Sequence, residues 1–148
     1  MNDNRLIGGW LLQSWSITAD GKRSFPYGES ASGQLMYTAD GYMSAIICNA
    51  ECPPIPEGSL RKLNDSQKAA LVDHSFAYGG RWEMVRDKEQ DIVLHHVEVS
   101  QNPNFVGSVQ RRHARFEGNQ LTLSAEEALA NGSTRLHALV WRRDSKHQ

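Results

Sequence analysis

Within DIVLHHVEVSQNPNFVG (residues 91–107), His96 and Glu98 have the types and spacing of an acid–base pair. An imidazole titrates near neutral pH, and a carboxylate beside it orients the ring or shares its proton. Residues two apart on a β-strand point to the same side. At that period one face is Ile92, Leu94, His96, Glu98 and Ser100, and the other is Val93, His95, Val97 and Val99. Whichever face turns inward, an imidazole goes with it. The first face, apolar at one end and polar at the other, is expected to line a cavity. That places His96 and Glu98 at its polar end and His95 outside. The competing reading is an ordinary His–Glu pair on the exterior.

Arg112 is the third candidate for chemistry. It shares a strand face with Gln110, Ala114 and Phe116, and the Ala/Phe face is the better interior. A buried guanidinium needs an anion, which either Glu98 or a carboxylate, enolate or phenolate oxygen of a ligand would supply. Tyr37, Tyr42, Tyr78, Trp82, Met36, Met43 and Phe105 are candidate ligand contacts, because aromatic and Met side chains suit an apolar, adaptable cavity. The same residue types also fill ordinary cores.

These residues sit on short alternating runs separated by turn signals, the pattern of an all-β barrel or sandwich. Eight strands are predicted, over residues 9–18, 33–39, 42–49, 78–86, 91–100, 109–117, 120–125 and 134–143. Asp40-Gly41 between the second and third is the signal of a two-residue type I′ hairpin. Gly79-Gly80 allows a bend or a close backbone approach. The run AEEALA (residues 125–130) either extends the seventh strand's hairpin or forms a helical turn. Prolines 53, 54 and 56 break the strand pattern into a loop. Asn64 and Gln67 then make a capping box for one helix over residues 65–77, with Ala69, Val72 and Phe76 on one face. Closing eight sequential antiparallel strands into an up-and-down barrel removes the exposed edges, and the helix, between the third and fourth strands, is free to cover one mouth.

The 148 residues fit a single domain, with a core over residues 5–143 and a polar tail over 144–148. Lys and Arg number 16 against 17 Asp and Glu, with no basic block, which argues against nucleic-acid or anionic-membrane partners. Neither a signal peptide nor an apolar run approaching ~18 residues is present, so a cytoplasmic protein is expected. Cys48 and Cys52 lack a second pair of ligands, and His113 and His137 lie at no metal-motif spacing; no metal or cofactor is expected.

The run LIGGWLLQSW (residues 6–15), the block GQLMYTADGYMSA (residues 33–45), YGGRW (residues 78–82) and PNFVG (residues 103–107) together resemble the bacterial and fungal lipocalin-like domain proteins, within the calycin barrels. Phe105 stands where that family more often carries Trp, and Gly9 where Thr is common. The resemblance implies an eight-stranded barrel around a small-molecule cavity, with Trp10 packed against Arg142 or Arg143 at the closed end. Related barrels range from carriers to cofactor-free enzymes, so the fold leaves the chemistry open. The leading expectation is a cofactor-free isomerase or cyclase for an apolar or aromatic, polyketide-like metabolite, with His96 and Glu98 moving a proton and Arg112 or a tyrosine holding an enolate oxygen. The alternative is a carrier or sensor of such a metabolite, without chemistry. A homodimer is left open.

Overall fold

The computed structural model describes residues 4–55 and 58–143. Pro56 of the predicted loop and the tail over 144–148 lie outside them. The strands are β1 (Gly8–Ala19), β2 (Lys22–Ser24), β3 (Ser32–Tyr37), β4 (Tyr42–Cys48), β5 (Ser75–Asp87), β6 (Gln90–Ser100), β7 (Val109–Glu117), β8 (Gln120–Ala128) and β9 (Thr134–Arg142). Each pairs antiparallel with its neighbours in the order β2-β1-β3-β4-β5-β6-β7-β8-β9, and β9 returns to β1 from Leu11↔Arg142 to Thr18↔Leu136. The result is the closed eight-stranded antiparallel barrel that the alternation predicts, with β2 an added flap on the end of β1. Counting that flap, the one α-helix among the described residues, α1 (Asp65–Asp73), falls between β4 and β5 rather than between the third and fourth strands. Among the described residues no helix is long and apolar enough to cross a membrane.

Local chemistry accounts for the departures in detail. Asn64 and Gln67 form the capping box, at 2.9 and 3.0 Å, but α1 stops at Asp73. Its last turn is tied off by Ser75 Oγ donating to the Leu71 carbonyl at 2.8 Å, and Phe76 belongs to β5. Val72 is 64% exposed, so the expected apolar helix face covers nothing. The β3–β4 turn is not type I′: Gly41 has φ 95° while Asp40 is not left-handed, and Thr38 N–H donates to the Tyr42 carbonyl at 2.8 Å. This is the longer hairpin loop in which one left-handed glycine suffices. The AEEALA run continues β8 as far as Ala128↔Thr134.

Two bulges decide which side chains face inward. In β6 the register runs from Asp87↔Gln90 to Gly80↔Val97, then jumps to Gly79↔Val99. Glu98 is the extra residue, so Val93, His95 and Val97 face the interior whereas Val99 is 66% exposed. In β1 the shift between Leu12 and Ser14 lets Trp10, Leu12 and Trp15 all turn inward.

The closed end is sealed as the resemblance implies, and the basic residue is Arg143. Its guanidinium lies 3.8 Å from the Trp10 ring centroid and its Nη2 donates to the carbonyls of Arg5, Leu6 and Ile7 at 2.9, 3.4 and 3.2 Å. Trp10 Nε1 donates to the Leu6 carbonyl at 2.9 Å. Arg143→Ala removes a cation–π contact and charged hydrogen bonds at once, and is expected to lower stability by about 2 kcal/mol in urea unfolding.

Candidate ligand-binding cavity

The barrel encloses a cavity of about 490 Å³. Trp141, Leu35 and Ala45 lie deep in it, and Trp15, Tyr27, Phe76, Phe105 and Leu139 line its upper wall toward the open end. None of α1's residues lines it. The polar groups on this largely apolar wall are Tyr78, His95, Gln110 and Arg112, from β5, β6 and β7, with Glu126, Glu127 and His137 toward the mouth. That size and lining suit one small organic molecule.

His95 is the centre of the polar wall. It is 2% exposed, and hydrogen bonds of 2.7 Å join its Nε2 to Tyr37 Oη and its Nδ1 to Tyr78 Oη. Burial, then the charges of Arg112 and His96, push its pKa from the ordinary 6.5 to about 3, so the ring is neutral at physiological pH. Burial likewise raises Tyr37 well above its usual range and Tyr78 to about 12. Register places Arg112 opposite Val93 and Gln110 opposite His95, so Arg112 is diagonal to the imidazole on the inner face. Its Nη1 donates to the Arg111 carbonyl at 2.9 Å and its Nη2 to Gln110 Oε1 at 3.2 Å. Among the described residues no carboxylate pairs with it.

At the mouth, Trp15 Nε1 contacts His137 Nδ1 at 3.4 Å, and the opposite ring nitrogen of His137 is 3.0 Å from Glu127 Oε1. Arg135 shares that carboxylate, and the hydrogen bonds from Arg135 and His137 hold Glu127 down at about 2. Deeper in, the indole N–H of Trp141 is buried without a hydrogen-bond partner.

The expected pair, His96 and Glu98, lies outside. His96 Nε2 is 3.0 Å from Glu83 Oε1, and Glu98 sits 3.7 Å from Arg81, all on the exterior face. The reversal has a physical cause: Ile92 is fully buried and Leu94 half-buried, which lends the outer face an apolar look, while the bulge at Glu98 breaks the parity. The usable signal was the company His95 keeps, since every other member of its face is valine. Exposed ion pairs contribute little, so His96→Ala and Glu98→Ala are each expected to change stability by no more than about 0.5 kcal/mol and to leave ligand affinity unchanged in calorimetric titration.

The other candidates divide by strand parity, except Phe105, which lies in the short 3-10 turn Pro103–Phe105. Tyr78 and Phe105 line the cavity. Tyr37 stands behind it, joined through His95, and Trp82 and Met43 are buried in the core below. Trp82 Nε1 donates to the Thr38 carbonyl at 3.1 Å. Met36 and Tyr42 are 47% and 44% exposed and face solvent, because each neighbours an inward residue, Tyr37 and Met43, on the same strand. Trp15, Tyr27, Phe76, Leu139 and Trp141 escaped notice as site residues, since an aromatic on a cavity wall has the same sequence signature as one in a core.

The lipocalin-like domain model matches residues 7–144. The chain belongs to the lipocalin-like domain family. Among curated relatives, this lipocalin-like protein is 31% identical over 106 residues to the 4'-hydroxy-3'-methoxypropiophenone carrier protein ppsC of Aspergillus oryzae (strain ATCC 42149 / RIB 40), covering 68% of this chain and 96% of that one. No solved structure gives a significant match to it.

Proposed function

We propose that this lipocalin-like protein is a carrier that holds a small, oxygen-bearing aromatic metabolite in the barrel. The observation behind this reading is the 490 Å³ cavity, apolar over most of its wall, with hydrogen-bonding groups gathered on β5–β7. Such a division suits a ligand with an aromatic body and a polar oxygen at one end. The name of the Aspergillus relative, a carrier of an aryl ketone, supports the same class. A neutral His95 with a pKa near 3 is a weak base, which favours holding a ligand over abstracting a proton.

Titration with 4'-hydroxy-3'-methoxypropiophenone, followed by fluorescence of the cavity tryptophans Trp15 and Trp141, tests this reading. Saturable one-to-one quenching is expected. Ala125→Trp, which adds bulk on the cavity wall, should weaken it at least ~10-fold with thermal unfolding little changed, since a loss of that size is about 1.4 kcal/mol of binding. Equal affinity in both proteins, or no binding to either, would overturn it.

A cofactor-free isomerase or cyclase is the second reading, favoured by the unbroken Tyr37–His95–Tyr78 hydrogen-bond chain that reaches the cavity beside Arg112. Tyr78 then donates its proton to the carbonyl oxygen of a bound ketone while solvent removes one from the adjacent carbon, so that an enol forms. Arg112 stabilises the negative charge that develops on that oxygen. His96 and Glu98, being outside, have no part in it. Turnover of a bound ketone, abolished in Tyr78→Phe while binding persists, distinguishes it from the carrier.

A further inference from the structure

We propose that the polar wall is an oxyanion site, in which Tyr78 and Arg112 together receive the phenolate or enolate oxygen of the ligand. This rests on the cavity being a small-molecule site and adds the ionisation state of what it selects.

The direction of the hydrogen bonds follows from counting protons. Tyr37 is 2% exposed, and among the described residues the partner of its hydroxyl is His95 Nε2. Its O–H proton needs an acceptor, and Nε2 is the one at hand. A neutral imidazole that accepts at Nε2 carries its proton on Nδ1. Nδ1–H therefore donates to Tyr78 Oη, 2.7 Å away. The reverse order leaves the Tyr37 proton buried and unmatched, a desolvated donor with nothing to repay it. With Tyr78 accepting from below, its own proton is free for an acceptor in the cavity that it lines.

Arg112 supplies the charge. Two of its five N–H groups go to the neutral oxygens of Arg111 and Gln110, and no described carboxylate lies within ion-pair distance of it. Gln110 is itself held, its Nε2 donating to Ser108 Oγ at 2.9 Å, so it braces the guanidinium rather than neutralising it. A half-buried cation on a cavity wall without a counter-ion favours an anionic ligand over a neutral one. A phenol acidified by an electron-withdrawing ring substituent, or a 1,3-dicarbonyl, brings a planar carbon body for the apolar wall and an oxygen that a neighbouring cation can hold ionised.

The probes are 4-nitrophenol, whose phenolate alone absorbs strongly in the visible, and its neutral methyl ether 4-nitroanisole. The wild-type protein is expected to bind the phenol at least ~10-fold more tightly than the ether and to lower its ionisation midpoint by about one pH unit, the two being the same free energy. Arg112→Gln and Tyr78→Phe should each return the midpoint toward that of the free probe. In the unliganded wild-type protein, nitrogen NMR should find the proton of His95 on Nδ1. Equal affinity for the two probes with an unmoved midpoint, or a proton on Nε2, would overturn the oxyanion assignment while leaving the cavity reading intact. Failure of both probes to bind would remove both.

Discussion

Gly80→Ala is expected to destabilise the protein by about 3 kcal/mol or more, the largest effect of a single added carbon anywhere in the barrel. A Cβ at Gly80 would lie 1.9 Å from the His96 carbonyl oxygen and 2.9 Å from the Glu98 amide nitrogen. Both are backbone atoms of the bulge, so no side chain can swing away to make room. The strand must separate or lose the bulge, and the bulge ends the inward run of Val93, His95 and Val97 while turning Val99 out. Gly9→Ala is the control, because its Cβ would meet nothing within 4 Å. Urea unfolding of the two variants should differ by most of that 3 kcal/mol. A Gly80→Ala loss below about 1 kcal/mol would mean that the β5–β6 approach is looser than described.

The second large effect is acid sensitivity centred on His95. Its pKa falls from 6.5 in the unfolded chain to about 3 in the barrel. Between those values the unfolded state binds the proton and the folded state does not, so stability is full above pH 6.5 and is lost as the pH falls toward 3. The slope is at most about 1.4 kcal/mol per pH unit. His95→Gln lacks this titration. Its deficit relative to wild type should be largest near pH 7, where the tyrosine hydrogen bonds are disrupted, and should shrink steadily toward pH 4. Chemical-denaturation midpoints of both proteins across that range measure the difference. A constant gap, or a His95 imidazole that titrates near pH 6.5 in NMR, would contradict a buried neutral ring.

Architecture was readable in the sequence because it rests on local signals. Alternation marked the eight barrel strands, the Asn64–Gln67 box started the helix, and the family motifs tied Trp10 to a cation on the last strand. The interior was readable only where parity is unbroken. On β7 the apolar Ala114 and Phe116 turned the Gln110 and Arg112 face inward, and Arg112 does line the cavity. On β6 the valines flanking His95 marked the inner face, but the polar end of the other face suggested a cavity lining, and what carries Glu98 and Val99 outward is a bulge packed against Gly80 on another strand. That is a tertiary fact, absent from residues 91–107 themselves. Naming Met36 with Tyr37, and Tyr42 with Met43, set aside the alternation of a strand, and in each pair one residue faces solvent. The outcome moves the candidate chemistry one residue along the chain, from an exposed histidine bound to Glu83 to a buried tyrosine–histidine–tyrosine chain.

Occupancy of the cavity itself is tested most directly by nuclear Overhauser contacts between the aryl protons of bound 4'-hydroxy-3'-methoxypropiophenone and assigned side chains of the protein. Contacts to Tyr78, Phe105, Leu139 and Ile47, which line the cavity, are expected. Contacts confined to Met36, Tyr42 and His96 on the exterior, or none at saturating ligand, would contradict a ligand held inside the barrel.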